Sequence, residues 1–157
     1  MEKKQRTLNN KGFSLIELIV VIAIMAILVG ALAPQYMKFV ERSRKSTDVQ
    51  NVAAIKSALE VYAADPMVAT ADTLGTGTVT ITTTETAVSA TNATGNGNKA
   101  LAAAGISNLV LKSSKWPASA GNITSYALDY TVSPNGTVSF SETALSAGYS
   151  ILNGKYN

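Results

Sequence analysis

The chain has 157 residues, with 13 Lys plus Arg against 10 Asp plus Glu and neither Cys nor His, for a formal charge of +3. That is room for one modest domain, and it excludes a disulfide framework, a thiol nucleophile, an imidazole base and the common zinc sites. Binding, scaffolding and assembly therefore stand ahead of catalysis, and no enzyme activity is expected.

The charge is concentrated at one end. Lys3, Lys4, Arg6 and Lys11 against Glu2 give the first twelve residues the whole +3, and the remainder carries equal numbers of basic and acidic residues. A basic leader ahead of an apolar run orients a membrane segment with its Lys/Arg end on the cytoplasmic side. The run begins at once. Leu18 to Ala33 contains no polar side chain, and Phe13 to Pro34 is interrupted only by Ser14 and Glu17. About 20 residues suffice to cross a bilayer core as a helix. A core helix of a soluble protein is the weaker reading, because little chain remains to surround it. A conventional secretory signal, cut near Gly30-Ala31-Leu32-Ala33, is the other competitor, and the residues after Pro34 count against it.

Beyond Pro34, Tyr36, Phe39 and Val40 are followed by Val49, Val52, Ile55, Leu59 and Tyr62, these last five spaced three or four apart. Lys38, Glu41, Arg42, Arg44, Lys45, Asp48, Lys56 and Glu60 are distributed among them as a polar face. The pattern predicts an amphipathic helix continuing to about Ala64 and closed by Asp65-Pro66, with Pro34 as a kink in one long helix. Four segments result. They are a leader at 1–12, a membrane or filament-core helix at 13–34, its amphipathic continuation at 35–65, and a Thr/Ala/Gly-rich head at 66–157.

In the head, Gly77 to Thr84 reads as a strand and Thr91 to Asn98 as an exposed flexible loop. Ala100 to Leu111 reads as a short helix or a helix and turn. Tyr126 to Val132 alternates, Ser133-Pro134-Asn135-Gly136 supplies turn chemistry, and Thr137 to Phe140 returns, which predicts a β-hairpin. A last strand is expected at Tyr149 to Leu152. The fold class is α+β, a long N-terminal helix whose amphipathic half packs on a small antiparallel sheet.

Glu17 is the unusual residue, since a carboxylate in a membrane-spanning run is expensive unless it has a partner. It stands in Lys11-Gly12-Phe13-Ser14-Leu15-Ile16-Glu17. A cut between Gly12 and Phe13 would place a new α-amine four residues from Glu17, and amine and carboxylate would offset each other's desolvation within one chain or between neighbours.

From Gly12 to Glu17, through the apolar run and Pro34 to about Ala64, the sequence resembles the type IV pilin family, which includes the pseudopilins of type II secretion and competence systems. The resemblance implies the pilin fold and a prepilin peptidase that cuts after Gly12 and methylates the amino terminus of Phe13. It implies that Glu17 docks a subunit by pairing with a neighbour's terminal amine, and that Pro34 lies where family filaments loosen their helix. The implied partners are other copies of the chain in a helical filament, the inner-membrane assembly platform and its ATPase system, minor pilins, and a host surface or DNA. The chain would be a single-pass cytoplasmic membrane protein before assembly and part of an extracellular filament afterwards, serving adhesion, twitching motility or DNA uptake. A pseudopilin and an anchored binding domain that never polymerises are the alternatives. Absence of the family's frequent C-terminal disulfide resembles pilins of Gram-positive organisms and pseudopilins.

No cofactor or metal is expected. Asp129 and Glu142 lie in the region where major pseudopilins often bind calcium, without the run of six to eight oxygen ligands that calcium requires. Arg42, Arg44 and Lys45 read as a solvated helix face rather than a lipid or DNA contact. Lys112, Lys115 and Trp116 are a candidate surface adhesion point, although a Trp beside Pro is more often a packing anchor. Asn92, Asn122 and Asn135 each begin a glycosylation-type triplet and read as loop and turn composition.

Overall fold

The computed structural model describes residues 12–68, 72–83, 86–89, 96–106, 109–118, 121–143, 145 and 149–155. A single helix, α1, runs from Leu15 to Ala64 with Pro34 inside it. The chain divides into two compact units, Met1–Phe39 and Val40–Asn157.

In the first unit every described residue is exposed, its large apolar side chains from Phe13 at 89% to Ile19 and Val20 at 48%. Tyr36 and Phe39, expected on the stripe that packs against the head, are exposed too, because they precede the point at which the second unit begins. Proline removes an amide donor and crowds the preceding turn, yet the helix continues through position 34.

In the second unit the stripe is real but begins later. Val52, Ile55, Ala58 and Leu59 are buried, with Val49 and Tyr62 packed beside them. Against these residues lies a four-stranded sheet. Its strands are β1 (Gly77–Thr82), β2 (Thr86–Ser89), β5 (Ser125–Val132) and β6 (Val138–Thr143), in the order β2-β1-β5-β6 with every pairing antiparallel. Alternation decides the faces. Val79 and Ile81 of β1 and Tyr126, Leu128 and Tyr130 of β5 join the helix stripe in one core. Between them, Thr78 and Asp129 pair across the strands, and the threonine hydroxyl donates to the Asp129 carboxylate at 2.6 Å. Gly77 stands opposite Tyr130, where a methyl group would lie 2.6 Å from the phenol oxygen, so a side chain there would force the buried Tyr130 ring to move.

The predicted hairpin forms. Gly136 has φ of 83° and its N–H donates to the Ser133 carbonyl at 2.9 Å, while the Asn135 side chain accepts from the Thr137 N–H. Strand β1 ends at Thr82. The second helix, α2 (Gly97–Ala103), starts inside the segment read as a flexible loop and ends well before Leu111. Its start is tied down by the Asn96 side chain, which donates to the Thr73 carbonyl, and by a Lys99–Asp72 ion pair. Its end is a Schellman turn: Ile106 N–H donates to Leu101 O and Gly105 N–H to Ala102 O, with Gly105 at φ 72°. Residues 91–95, the rest of the expected loop, lie outside the described residues. Two short strands, β3 (Pro117–Ala118) and β4 (Gly121–Asn122), pair with each other.

The expected last strand at Tyr149 to Leu152 does not form. Ser150 and Lys155 instead make one isolated pairing, closed by a turn in which Gly154 takes φ 66°. Ile151 is buried in the core, and the Leu152 N–H donates to the Glu142 carboxylate at 3.0 Å, so a side chain replaces the missing ladder. The same carboxylate oxygen accepts from the Tyr126 hydroxyl at 2.8 Å. Burial, then the Glu142 hydrogen bond and the charges of Glu142 and Asp129, hold that phenol far above its ordinary value of 10.0, and burial also raises Tyr130. The unfolded chain loses these protons near pH 10 while the folded chain keeps them, so folded stability is intact below pH 10 and falls as pH rises past it. Urea midpoints at rising pH are expected to drop above pH 10, and the Tyr126→Phe chain is expected to show a shallower drop.

Candidate assembly site

Gly12 and Phe13 precede α1 and are exposed, and Ser14 stands at the cap position. The Ser14 N–H donates to Glu17 Oε2 at 2.9 Å, while the Ser14 carbonyl accepts from the N–H groups of Glu17 and Leu18. Ser-x-x-Glu is the sequence of a capping box, and the glutamate fulfils its half by taking a backbone donor that the helix cannot satisfy itself. A carboxylate in the first turn also faces the positive end of the helix dipole. The structure thus brings Glu17 to Ser14, one residue beyond Phe13. Pro34 lies in the same helix, distant from this cluster. Residues 1–11 of the expected leader lie outside the described residues.

From the cap onward α1 is long and apolar enough to cross a membrane, and none of its most apolar window is buried. Ala23, Ala26, Gly30 and Ala31 supply small side chains along it, the residue types that let helices approach closely in lipid or in a bundle. The first unit therefore offers two things together: an apolar surface that needs cover, and a carboxylate at its leading end.

The remaining candidates have other places. Among the described residues no group of three or more His, Cys, Asp or Glu gathers to hold an ion. Asp129 and Glu142 are engaged by Thr78, Tyr126 and Leu152. Arg44 is exposed beside Glu41 at 4.0 Å, whereas Lys45 lies over the rings of Trp116 and Tyr149, 5.1 and 5.6 Å from their centroids. Lys112 and Lys115 are exposed but Trp116 is fully buried, so the three do not form a surface adhesion point. Asn122 lies in β4 and Asn135 in the hairpin turn, and Asn92 is outside the described residues.

Asp48 is the residue that sequence reasoning misplaced. Assigned to the polar face, it is 1% exposed and accepts from the N–H groups of Lys112 at 2.6 Å and Ser113 at 3.0 Å and from the Trp116 indole at 2.9 Å. Its position carried the information. Asp48 is four residues before Val52 and seven before Ile55, which places it on the buried stripe.

Residues 7–33 match the family model described as the prokaryotic N-terminal methylation motif. Among curated proteins, the chain is 39% identical over 66 residues to the prepilin peptidase-dependent protein A of Clostridium perfringens, covering 41% of this chain and 47% of that one. It is 44% identical over 50 residues to a fimbrial protein of Pseudomonas aeruginosa, 32% of each chain. To the type IV major fimbrial protein FimA of Dichelobacter nodosus it is 38% identical over 55 residues, 35% of each. The chain thus spans less than half the length of these relatives, and no solved structure matches it. The methylation motif ends inside an exposed apolar helix that leads into an α+β head, and over that N-terminal part the chain is similar to type IV fimbrial proteins and a prepilin peptidase-dependent protein.

Proposed function

We propose that this chain is a pilin, cut between Gly12 and Phe13, methylated on the Phe13 amine, and polymerised through α1 into a type IV pilus filament. The observation that carries the reading is the first unit itself, an apolar helix with every described side chain exposed and a carboxylate at its start. Transfer of such a helix from lipid into a bundle of identical helices changes its apolar exposure little, so the hydrophobic drive at that step is small. Register must then come from a specific pairing. A Phe13 amine of one subunit and Glu17 of its neighbour supply it, each offsetting the other's desolvation. A head-to-tail contact of this kind repeats without closing and yields an open helical filament.

Pro34, which leaves the helix one hydrogen bond short, is the place for α1 to bend or loosen during packing. A prepilin peptidase, a membrane assembly platform with its ATPase and minor pilins are the partners this route requires. The precursor would sit in the cytoplasmic membrane, and the filament outside would serve adhesion, twitching motility or DNA uptake through its heads.

Intact mass and N-terminal sequencing of material sheared from the native cell surface test the reading. A chain that begins at Phe13 with about 14 Da added to its amine is the expected result. Processed chain found only in membranes would move the assignment to a pseudopilin. A chain starting at Met1, or beyond Ala33, would overturn it.

A further inference from the structure

Helix α1 is unbroken from Leu15 to Ala64, so tension on its first half enters the second unit along the helix. The contacts it meets first there are polar, and they converge on one segment. Glu41 accepts from the Ser113 hydroxyl, Lys45 lies over Trp116, Asp48 accepts from Lys112, Ser113 and Trp116, and Asn51 donates to the Val110 carbonyl at 3.4 Å. Tyr149, near the C-terminus, is joined to the same cluster through Lys45. Val49 packs on the core within this stretch, and the fully buried Val52, Ile55 and Leu59 follow it.

We propose that Asp48 and Glu41, bonded to residues 112–116, form a tension latch: a pull on α1 shears this cluster first, parts residues 112–116 from the helix and uncovers Trp116 while the sheet stays folded. The reason is the range of the forces. Hydrogen bonds are largely lost once stretched beyond about 3.5 Å, and those on Asp48 converge on one carboxylate, so they share the load and fail together. The apolar contacts behind them involve many atom pairs and yield by sliding. On its other side the segment is held to the head, where the Leu111 N–H donates to the Thr82 carbonyl of β1 and the Trp116 carbonyl accepts from the Ile123 N–H, both at 2.9 Å, so it stays with the sheet when the helix is pulled. The latch rests on the filament reading only in that assembly through α1 is what would apply such a pull.

Force spectroscopy on the full chain in detergent tests it, since a chain without Cys accepts unique cysteine handles. Lys38→Cys with Ser125→Cys pulls across the latch, and Glu60→Cys with Ser125→Cys pulls behind it. The first geometry is expected to show an early rupture before the main unfolding event, and the second to lack it. Trp116→Phe, which removes one of three donors to Asp48, is expected to lower the early rupture force by about a third, with Asp48→Asn also lowering it and the main event unchanged. No early rupture in the first geometry, the same rupture in both geometries, or an unaltered force in Trp116→Phe would overturn the latch. Loss of filaments in cells would not bear on these curves, and a failed latch would leave the filament reading standing.

Discussion

A Glu17→Ala chain is expected to be cut and methylated at Phe13 and then to remain in the membrane fraction, with sheared filament reduced on the order of tenfold or more. Two effects are removed at once. On the proposed pairing, the neighbour's Phe13 amine would lose its counter-charge in an apolar bundle, where breaking one member of an ion pair strands the other. The helix start also loses the acceptor for the Ser14 N–H, a cap interaction worth about 1 kcal/mol. Glu17→Gln separates them, because an amide oxygen still accepts from Ser14 but carries no charge. If pairing with the amine drives assembly, the Gln chain fails nearly as badly as the Ala chain while processing proceeds in both. Filament yields from the Gln chain equal to those of the unaltered chain would reduce Glu17 to a helix cap.

The same residue shows how far sequence goes. Glu17 stands out because a carboxylate in an apolar run is chemically expensive wherever it sits, and that argument needs no neighbours; its pairing with the Phe13 amine is the proposal that the two variants test. The capping box was equally written in Ser14 and Glu17, yet only the geometry shows the carboxylate turned back onto Ser14. The hairpin at Ser133–Gly136 was readable for a similar reason: a left-handed glycine and a proline fix a turn locally. Prediction failed where distant chain decides. The C-terminal segment lacks a ladder because its amide meets the Glu142 side chain, 10 residues away. Gly97 and Asn98 are helical because Asn96 and Lys99 are held by residues 72 and 73. In the stripe of α1, residue type outweighed spacing, so Asp48 was set on the wrong face and its partners 64 to 68 residues away had no local trace.

Those distant partners make Asp48 the position where one substitution is expected to damage the head most. Asp48→Ala removes an acceptor and leaves two backbone N–H groups and an indole N–H without it, at a position where Asp48, Ser113 and Trp116 are all buried. Each stranded donor costs about 1–3 kcal/mol, and partial relaxation brings the expected total to about 3–5 kcal/mol. Against the usual 5–15 kcal/mol of a domain, that is enough to lower the urea midpoint sharply. Asp48→Asn keeps one oxygen acceptor and is expected to lose about half as much, with the amide nitrogen unable to accept from the donors it faces. Trp116, the only tryptophan and bonded to Asp48, reports the transition directly by fluorescence. A loss below about 1 kcal/mol in Asp48→Ala would mean that water reaches the three donors in its place, since buried N–H groups otherwise demand a partner. The indole would then emit at longer wavelength in the folded variant, and the helix stripe alone would be holding the segment against α1.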